Sequence, residues 1–140
     1  MYIASLVLVV VGSLIYHVSS RAIDHRLPPS IALAVAYAAA LVMALAAGAI
    51  GERRSMTPAS LRYVNWATFG LALGVVLIEA GFLFAYRAGW KLSLAALVAN
   101  VASAVLLVAV GVVALDERLS AANVAGLALA AVALVLLNWK

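Results

Sequence analysis

A single carboxylate, Glu79, lies inside the apolar run GVVLIEAGFLFAY, which extends from Gly74 to Tyr86. If this run crosses a membrane, a charged acid near its centre is unfavourable by about 2.5 to 3.5 kcal/mol on insertion scales. We therefore expect the side chain to face a cavity, where it would be protonated in the empty site and ionised beside a cation. The competing interpretation is a structural acid that is hydrogen-bonded to a neighbouring helix.

Helical periodicity sorts the third apolar segment into two faces. Placed at about 100° per residue, its polar side chains share a sector of roughly 60°: Asn65, Thr68, Glu79 and Tyr86. Three small residues lie nearly opposite: Gly70, Gly74 and Gly81. The glycine face lets another helix approach closely, so the polar face is predicted to line a cavity.

Aromatic and imidazole side chains supply further candidates for binding a solute or a proton. His17 is a candidate proton carrier, although a histidine near a helix end is often interfacial or locally hydrogen-bonded. Tyr16, Phe82 and Tyr86 are candidates for an aromatic wall around a cationic solute, and ordinary packing is the alternative.

The fourth apolar segment carries a weaker polar stripe of Ser93, Asn100 and Ser103, which fall within about 80° of one another. The Asn100 amide needs partners inside a membrane, so it would either bind a solute or join two helices. Ser103 is a weaker candidate, because a hydroxyl can bond to the carbonyl four residues earlier.

Several classes of function lack their residues in this chain. There is no cysteine, and only two histidines are present. No phosphate loop, metal-ligand spacing or activated nucleophile occurs, so we expect neither an enzyme nor a cofactor. Nine Lys and Arg are scattered over all the loops, which argues against a nucleic-acid partner.

The composition shows which elements must position these residues. Of 140 residues, 69% are hydrophobic and the mean hydropathy is +1.21, far above the values of soluble proteins. Segments near the roughly 20 residues that cross a bilayer must be helical, because lipid offers no backbone hydrogen bonds. Charges and turn formers delimit five such segments in one domain: Tyr2 to Ser20, Ser30 to Ile50, Pro58 to Tyr86, Leu92 to Leu115 and Ser120 to Trp139.

The predicted breaks have local causes. The Pro28-Pro29 pair cannot continue a helix, and Gly51 is a plausible stop. Thr57 and Ser120 are predicted N-caps. The second segment is alanine-rich and is predicted to be packing surface without chemistry. The first segment lacks a basic n-region and a cleavage site, so we expect a retained span.

Positive charges divide almost evenly between the two sides of a five-span chain. The side of the N-terminus has four: Arg53, Arg54, Arg62 and Arg118. The other side has five: Arg21, Arg26, Arg87, Lys91 and Lys140. This balance favours no orientation, and it is compatible with one dominant insertion signal or with dual topology and an inverted, antiparallel homodimer.

The stretch LDERLSAANVAG, from Leu115 to Gly126, and the stretch FAYRAGWKLSLAAL, from Phe84 to Leu97, resemble the drug/metabolite transporter superfamily, in particular one EamA-like repeat. The resemblance implies a compact bundle whose cavity is formed mainly by spans one, three and four. It also implies a dimer contact on the last span, where Gly126 and Ala133 are spaced by seven; intrachain packing is the alternative. Some members of the superfamily carry an essential acid in span one, and the first segment of this chain has no acid.

These observations predict an all-α integral membrane protein, in a bacterial or archaeal inner membrane, that moves small organic solutes by alternating access. Glu79 would couple proton movement to solute movement. Two alternatives remain: a non-transport assembly or scaffold subunit, and a subunit of a flippase for lipid or lipid-linked solutes. The partners expected are a solute, membrane lipid and a second copy of the chain, or a paralogue in a heterodimer.

Overall fold

The computed structural model describes residues 2–52, 56–116, 118 and 120–138, and all regular structure in them is helical. The elements in chain order are α1 (Tyr2–Ala22), α2 (Pro29–Gly51), a short 3-10 helix (Pro58–Tyr63), α3 (Trp66–Arg87), α4 (Leu92–Ala114) and α5 (Ala121–Asn138).

Four of these helices, α1 to α4, are long and apolar enough to cross a membrane. The protein is accordingly an integral membrane protein. In α5 the apolar stretch found in the described residues, Ala121–Ala133, is shorter than a span. The fifth span therefore stays a prediction, as do the membrane that holds the protein and the pairing into a dimer.

Helix boundaries follow the predicted causes at most positions. Pro29 is the first residue of α2, and Pro28 before it has an extended backbone. The Ser120 hydroxyl accepts a hydrogen bond from the Asn123 backbone N–H at 3.2 Å, as its predicted role as an N-cap requires. The Gly89 φ of 91° after α3 suits a glycine at a helix C-terminus.

The third predicted segment differs from the structure at its beginning. Pro58 starts a 3-10 helix instead of a span, and α3 starts only at Trp66. The Asn65 side chain accepts a hydrogen bond from the Ala67 backbone N–H at 3.0 Å, so Asn65 is the N-cap of α3. Thr57 makes no capping hydrogen bond with its side chain; its hydroxyl pairs with that of Ser60. Asn65 thus leaves the predicted polar face, because its side chain competes with the helix for backbone N–H groups.

Some residues named in the sequence predictions lie outside the described part of the chain: Arg53, Arg54, Glu117, Leu119, Trp139 and Lys140.

The structure divides the single predicted domain into two compact units, Met1–Ala88 and Gly89–Lys140. In the first unit, α3 packs against both α1 and α2. In the second unit, α4 packs against α5. Within each unit, most helical side chains are left uncovered by the described residues, which suits a lipid environment or further protein contacts.

Candidate functional site

One face of α3 supplies the interior of the first unit. Leu83 and Tyr86 are buried, with 2% and 5% of their surface exposed, and Glu79 is half-buried. These three residues are spaced by four and three, which places them above one another on a helix. The acid therefore lies on the side of α3 that faces the other two helices.

A cavity of about 210 Å³ lies among the three helices of this unit. Its lining includes Glu79 and Leu83 from α3, Tyr16 and Ser20 from α1, and Ala36 from α2. Glu79 is the only charged side chain among the described residues that line it. The cavity is partly open, and a concave space with mostly apolar walls and few polar groups has the general character of a small-molecule site.

Two tyrosine hydroxyls flank the Glu79 carboxyl group. Tyr16 from α1 and Tyr37 from α2 each lie close enough to interact electrostatically with that carboxyl group. Both hydroxyl oxygens are buried. The Tyr16 hydroxyl interacts with the Ser20 side chain and the Tyr37 hydroxyl with the Glu79 carboxyl group, in both cases outside the distances or angles of an ordinary hydrogen bond. A hydroxyl oxygen has two lone pairs, so each can still accept from another polar group.

A compact aromatic cluster lies beside this site. His17 is buried, with 8% of its surface exposed, and its Nδ1 is 2.9 Å from the Tyr86 hydroxyl. Which of the two groups donates depends on the histidine tautomer. The Phe82 ring lies edge-on to His17 at 4.6 Å between centroids and stacks on Tyr86 at 5.9 Å. Contacts between helices α1 and α3 thus combine aromatic packing with one hydrogen bond.

The predicted aromatic wall is only partly present at the cavity. Tyr16 lines it, whereas Phe82, Tyr86 and His17 are not among its lining residues. Their rings contact one another, and Tyr16 joins them through an edge contact with Phe82 at 6.0 Å. The structure thus brings Tyr16 and Glu79 to the cavity and places the other three in the adjacent cluster.

The remaining predicted site residues belong to the second unit. Asn100 and Ser103 on α4 are exposed within the described chain. Gly126 and Ala133 on α5 are exposed as well, and a Cβ built at Gly126 would have no neighbour within 4 Å. On α3, Gly74 and Gly81 are equally open, so no described residue occupies the predicted glycine face at these two positions.

Sequence reasoning missed most residues of the site, among them Tyr37, Ser20 and Leu83. Tyr37 lies in the alanine-rich segment that was predicted to carry no chemistry, yet it approaches Glu79. The sequence itself could have pointed to Tyr37, because Tyr37 is the one polar side chain between Ile31 and Gly48. Ser20 and Leu83 follow Tyr16 and Glu79 by four residues and therefore share their faces.

The connection between α1 and α2 is tied to the end of α3. The Arg87 guanidinium donates a hydrogen bond to the Leu27 carbonyl oxygen. The Arg26 backbone N–H donates to the Asp24 carboxylate at 2.8 Å, which shapes the turn. These contacts hold the segment from which Ile23 contributes to the cavity lining.

No group of three or more His, Cys, Asp or Glu side chains that could hold a metal occurs in the described part of the chain. No known protein family, curated protein or solved structure matches the chain. The resemblance to the drug/metabolite transporters accordingly stays a prediction.

Proposed function

We propose that the protein is a membrane transporter of small organic solutes, with the solute bound beside Glu79. The observation that supports this proposal is the cavity of about 210 Å³ among three helices, with a carboxyl group in its lining. Intramembrane acids that face a cavity are typical of solute and proton pathways.

The chemistry of coupling follows from a single shared acid. A proton and an organic cation would compete for the Glu79 carboxylate, so that release of one accompanies binding of the other. Alternating access to opposite sides of the membrane would then link proton movement to solute movement. His17, whose ring is hydrogen-bonded to Tyr86, is assigned to packing in this proposal.

For the assembly, we propose an inverted pair of five-span chains in which α5 forms the dimer contact. Its support is the near balance of basic residues, four against five, on the two predicted sides. A tag on the C-terminus should react with impermeant reagents from both sides of sealed vesicles. A single orientation would remove the homodimer and leave only a pair with a paralogue.

The coupling proposal is tested with Glu79→Gln, which keeps the shape of the side chain and removes its titration. In reconstituted vesicles, proton movement induced by a panel of amines, amino acids and quaternary ammonium compounds should fall at least tenfold. The matched control is Glu52→Gln, because Glu52 is exposed at the end of α2. Solute-induced proton movement that equals the parent's across a pH range would contradict the role of Glu79.

One observation favours the alternative of a non-transport assembly subunit. The contact of Tyr37 with Glu79 joins α2 to α3, as a purely structural acid would. In that case Glu79→Gln would lower thermal stability in detergent, and no solute of the panel would stabilise the parent. A ligand that binds the folded state must stabilise it, so saturable protection would rule out this alternative.

A further inference from the structure

We infer that the Glu79 cavity selects a primary amine with an apolar body over its quaternary ammonium counterpart. This inference rests on the proposed function and narrows its solute class. It is carried by three features of the first unit: the oxygen atoms that line the cavity with Glu79, the absence of an aromatic cage among the described lining residues, and the apolar character of the rest of the lining.

The polar end of the cavity consists of oxygen atoms that can accept hydrogen bonds. The Glu79 carboxylate accepts in its ionised form, and charge-assisted hydrogen bonds are the stronger class. Tyr16, Ser19 and Ser20 belong to the same lining, and their hydroxyl oxygens can accept hydrogen bonds. A primary ammonium group has three N–H donors and can use several of these oxygens, whereas a quaternary ammonium group has none.

The aromatic rings nearby are not arranged to hold a quaternary ammonium group. Such groups are typically recognised by the faces of several aromatic rings around the cation. Of the clustered aromatic residues, only Tyr16 is part of the cavity lining. The Phe82 and Tyr86 rings stack on each other at 5.9 Å between centroids, and His17 packs against Phe82.

The rest of the lining determines the character of the solute body. Ile15, Leu33 and Leu83 are apolar and line the same cavity as Glu79, so they would contact hydrocarbon. A dry cavity of about 150 Å³ is known to hold benzene, so the present volume of about 210 Å³ has room for a phenyl ring and a short aminoalkyl chain. The cavity is partly open, so this volume sets no upper limit on the solute.

The test compares three ligands on the purified full-length protein in lipid nanodiscs. The ligands are 2-phenylethylamine, its N,N,N-trimethyl derivative and the neutral 2-phenylethanol, with dissociation constants measured by calorimetry. We expect the primary amine to bind at least tenfold more tightly than either of the others. This comparison needs no variant, so it does not depend on whether a substituted chain folds.

Two variants then assign the preference to residues. Tyr16→Phe removes one hydroxyl and should reduce the preference for the primary over the trimethyl ammonium to about threefold or less. Glu79→Gln should abolish the preference for the amine over 2-phenylethanol. Tyr63→Phe is the matched control, since Tyr63 is 70% exposed in the 3-10 helix and should keep the selectivity of the parent.

The possible failures are distinguishable. Equal or tighter binding of the trimethyl compound would overturn the selectivity and leave a cation-binding transporter in place. Equal binding of all three ligands would overturn the inference by showing that Glu79 recognises no charge. No saturable binding of any ligand would overturn the inference as well, and the vesicle assay with the wider panel would then decide the proposed function separately.

Discussion

The first unit, Met1–Ala88, buries or half-buries several polar side chains of its helices, whereas the polar side chains on the helices of the second unit, Gly89–Lys140, are exposed among the described residues. In the first unit, Glu79 lines a cavity among three helices and His17 is buried against Tyr86. In the second unit, α4 packs against α5, the small residues Ala95 and Gly111 of α4 are buried, and Asn100 is exposed. Two packed helices share a seam but cannot enclose a space, while a third helix can.

This difference shows that a polar residue in an apolar helix is not by itself a site. Glu79 and Asn100 both interrupt long apolar runs and both have high desolvation costs. Only Glu79 meets side chains from two other helices, Tyr16 from α1 and Tyr37 from α2. The number of helices around a position therefore decides whether it lines a cavity within its unit.

Among these predictions, the largest difference in stability between the two units is expected when a core side chain is removed. Leu83→Ala should lower the free energy of unfolding by about 2 to 5 kcal/mol, because it leaves a void at the most buried position of the first unit. Leu106→Ala in α4 is the matched control, since Leu106 is 67% exposed and should change stability by about 0.5 kcal/mol or less. Denaturant unfolding in detergent micelles measures both.

Equal destabilisation by these two substitutions would contradict the difference in burial between the two units. It would mean that the exposed surface of α4 is covered in the native assembly.

A smaller effect is expected from the buried hydrogen bond of the first unit. Tyr86→Phe should lower the free energy of unfolding by about 1 to 3 kcal/mol, because it leaves the buried His17 Nδ1 without its hydrogen-bond partner. Ser103→Ala in the second unit removes an exposed hydroxyl and should be nearly neutral. Thermal unfolding followed by circular dichroism in detergent gives the ranking. A neutral Tyr86→Phe would indicate that water or lipid reaches His17.

The smallest loss of stability is expected from removing a helix N-cap, and it should be the same in both units. Asn65→Ala and Ser120→Ala each remove an N-cap hydrogen bond, to Ala67 and Asn123 respectively. Each substitution should lower the stability by about 1 kcal/mol, because a cap acts on its own helix and does not depend on the surrounding fold. Hydrogen exchange of the first turns of α3 and α5 measures the local loss. A clearly larger loss at α3 would show that Asn65 also supports the cavity.

Much of the fold follows from local chemistry and could be predicted. Long apolar runs bounded by Pro28, Gly51 and the charged turns predict five spans, and the structure confirms four of them as helices long and apolar enough to cross a membrane. The fifth span stays a prediction. The start of α3 could not be placed, because Pro58 and Asn65 are both good helix starts and the sequence offers no way to choose. The predicted polar face of α3 does face the other helices at Glu79 and Tyr86.

The candidate site was less predictable, because it depends on contacts between helices. Periodicity placed Tyr16, Phe82 and Tyr86 on faces but could not show that the rings would pack against one another. The alanine-rich sequence around Tyr37 predicts a packing surface, and only the fold brings this side chain to Glu79.

The sequence alone determined that the chain is apolar, helical and membrane-embedded, and that one acid interrupts its third long helix. These properties depend on hydropathy and on the helical repeat, which act within a single segment. Only the tertiary structure decided that Tyr16, Tyr37 and Glu79 share one region and that Phe82 and Tyr86 leave the cavity to fill a neighbouring cluster. Rotation and depth of one helix against another are set by packing between side chains far apart in sequence, and no local pattern encodes them.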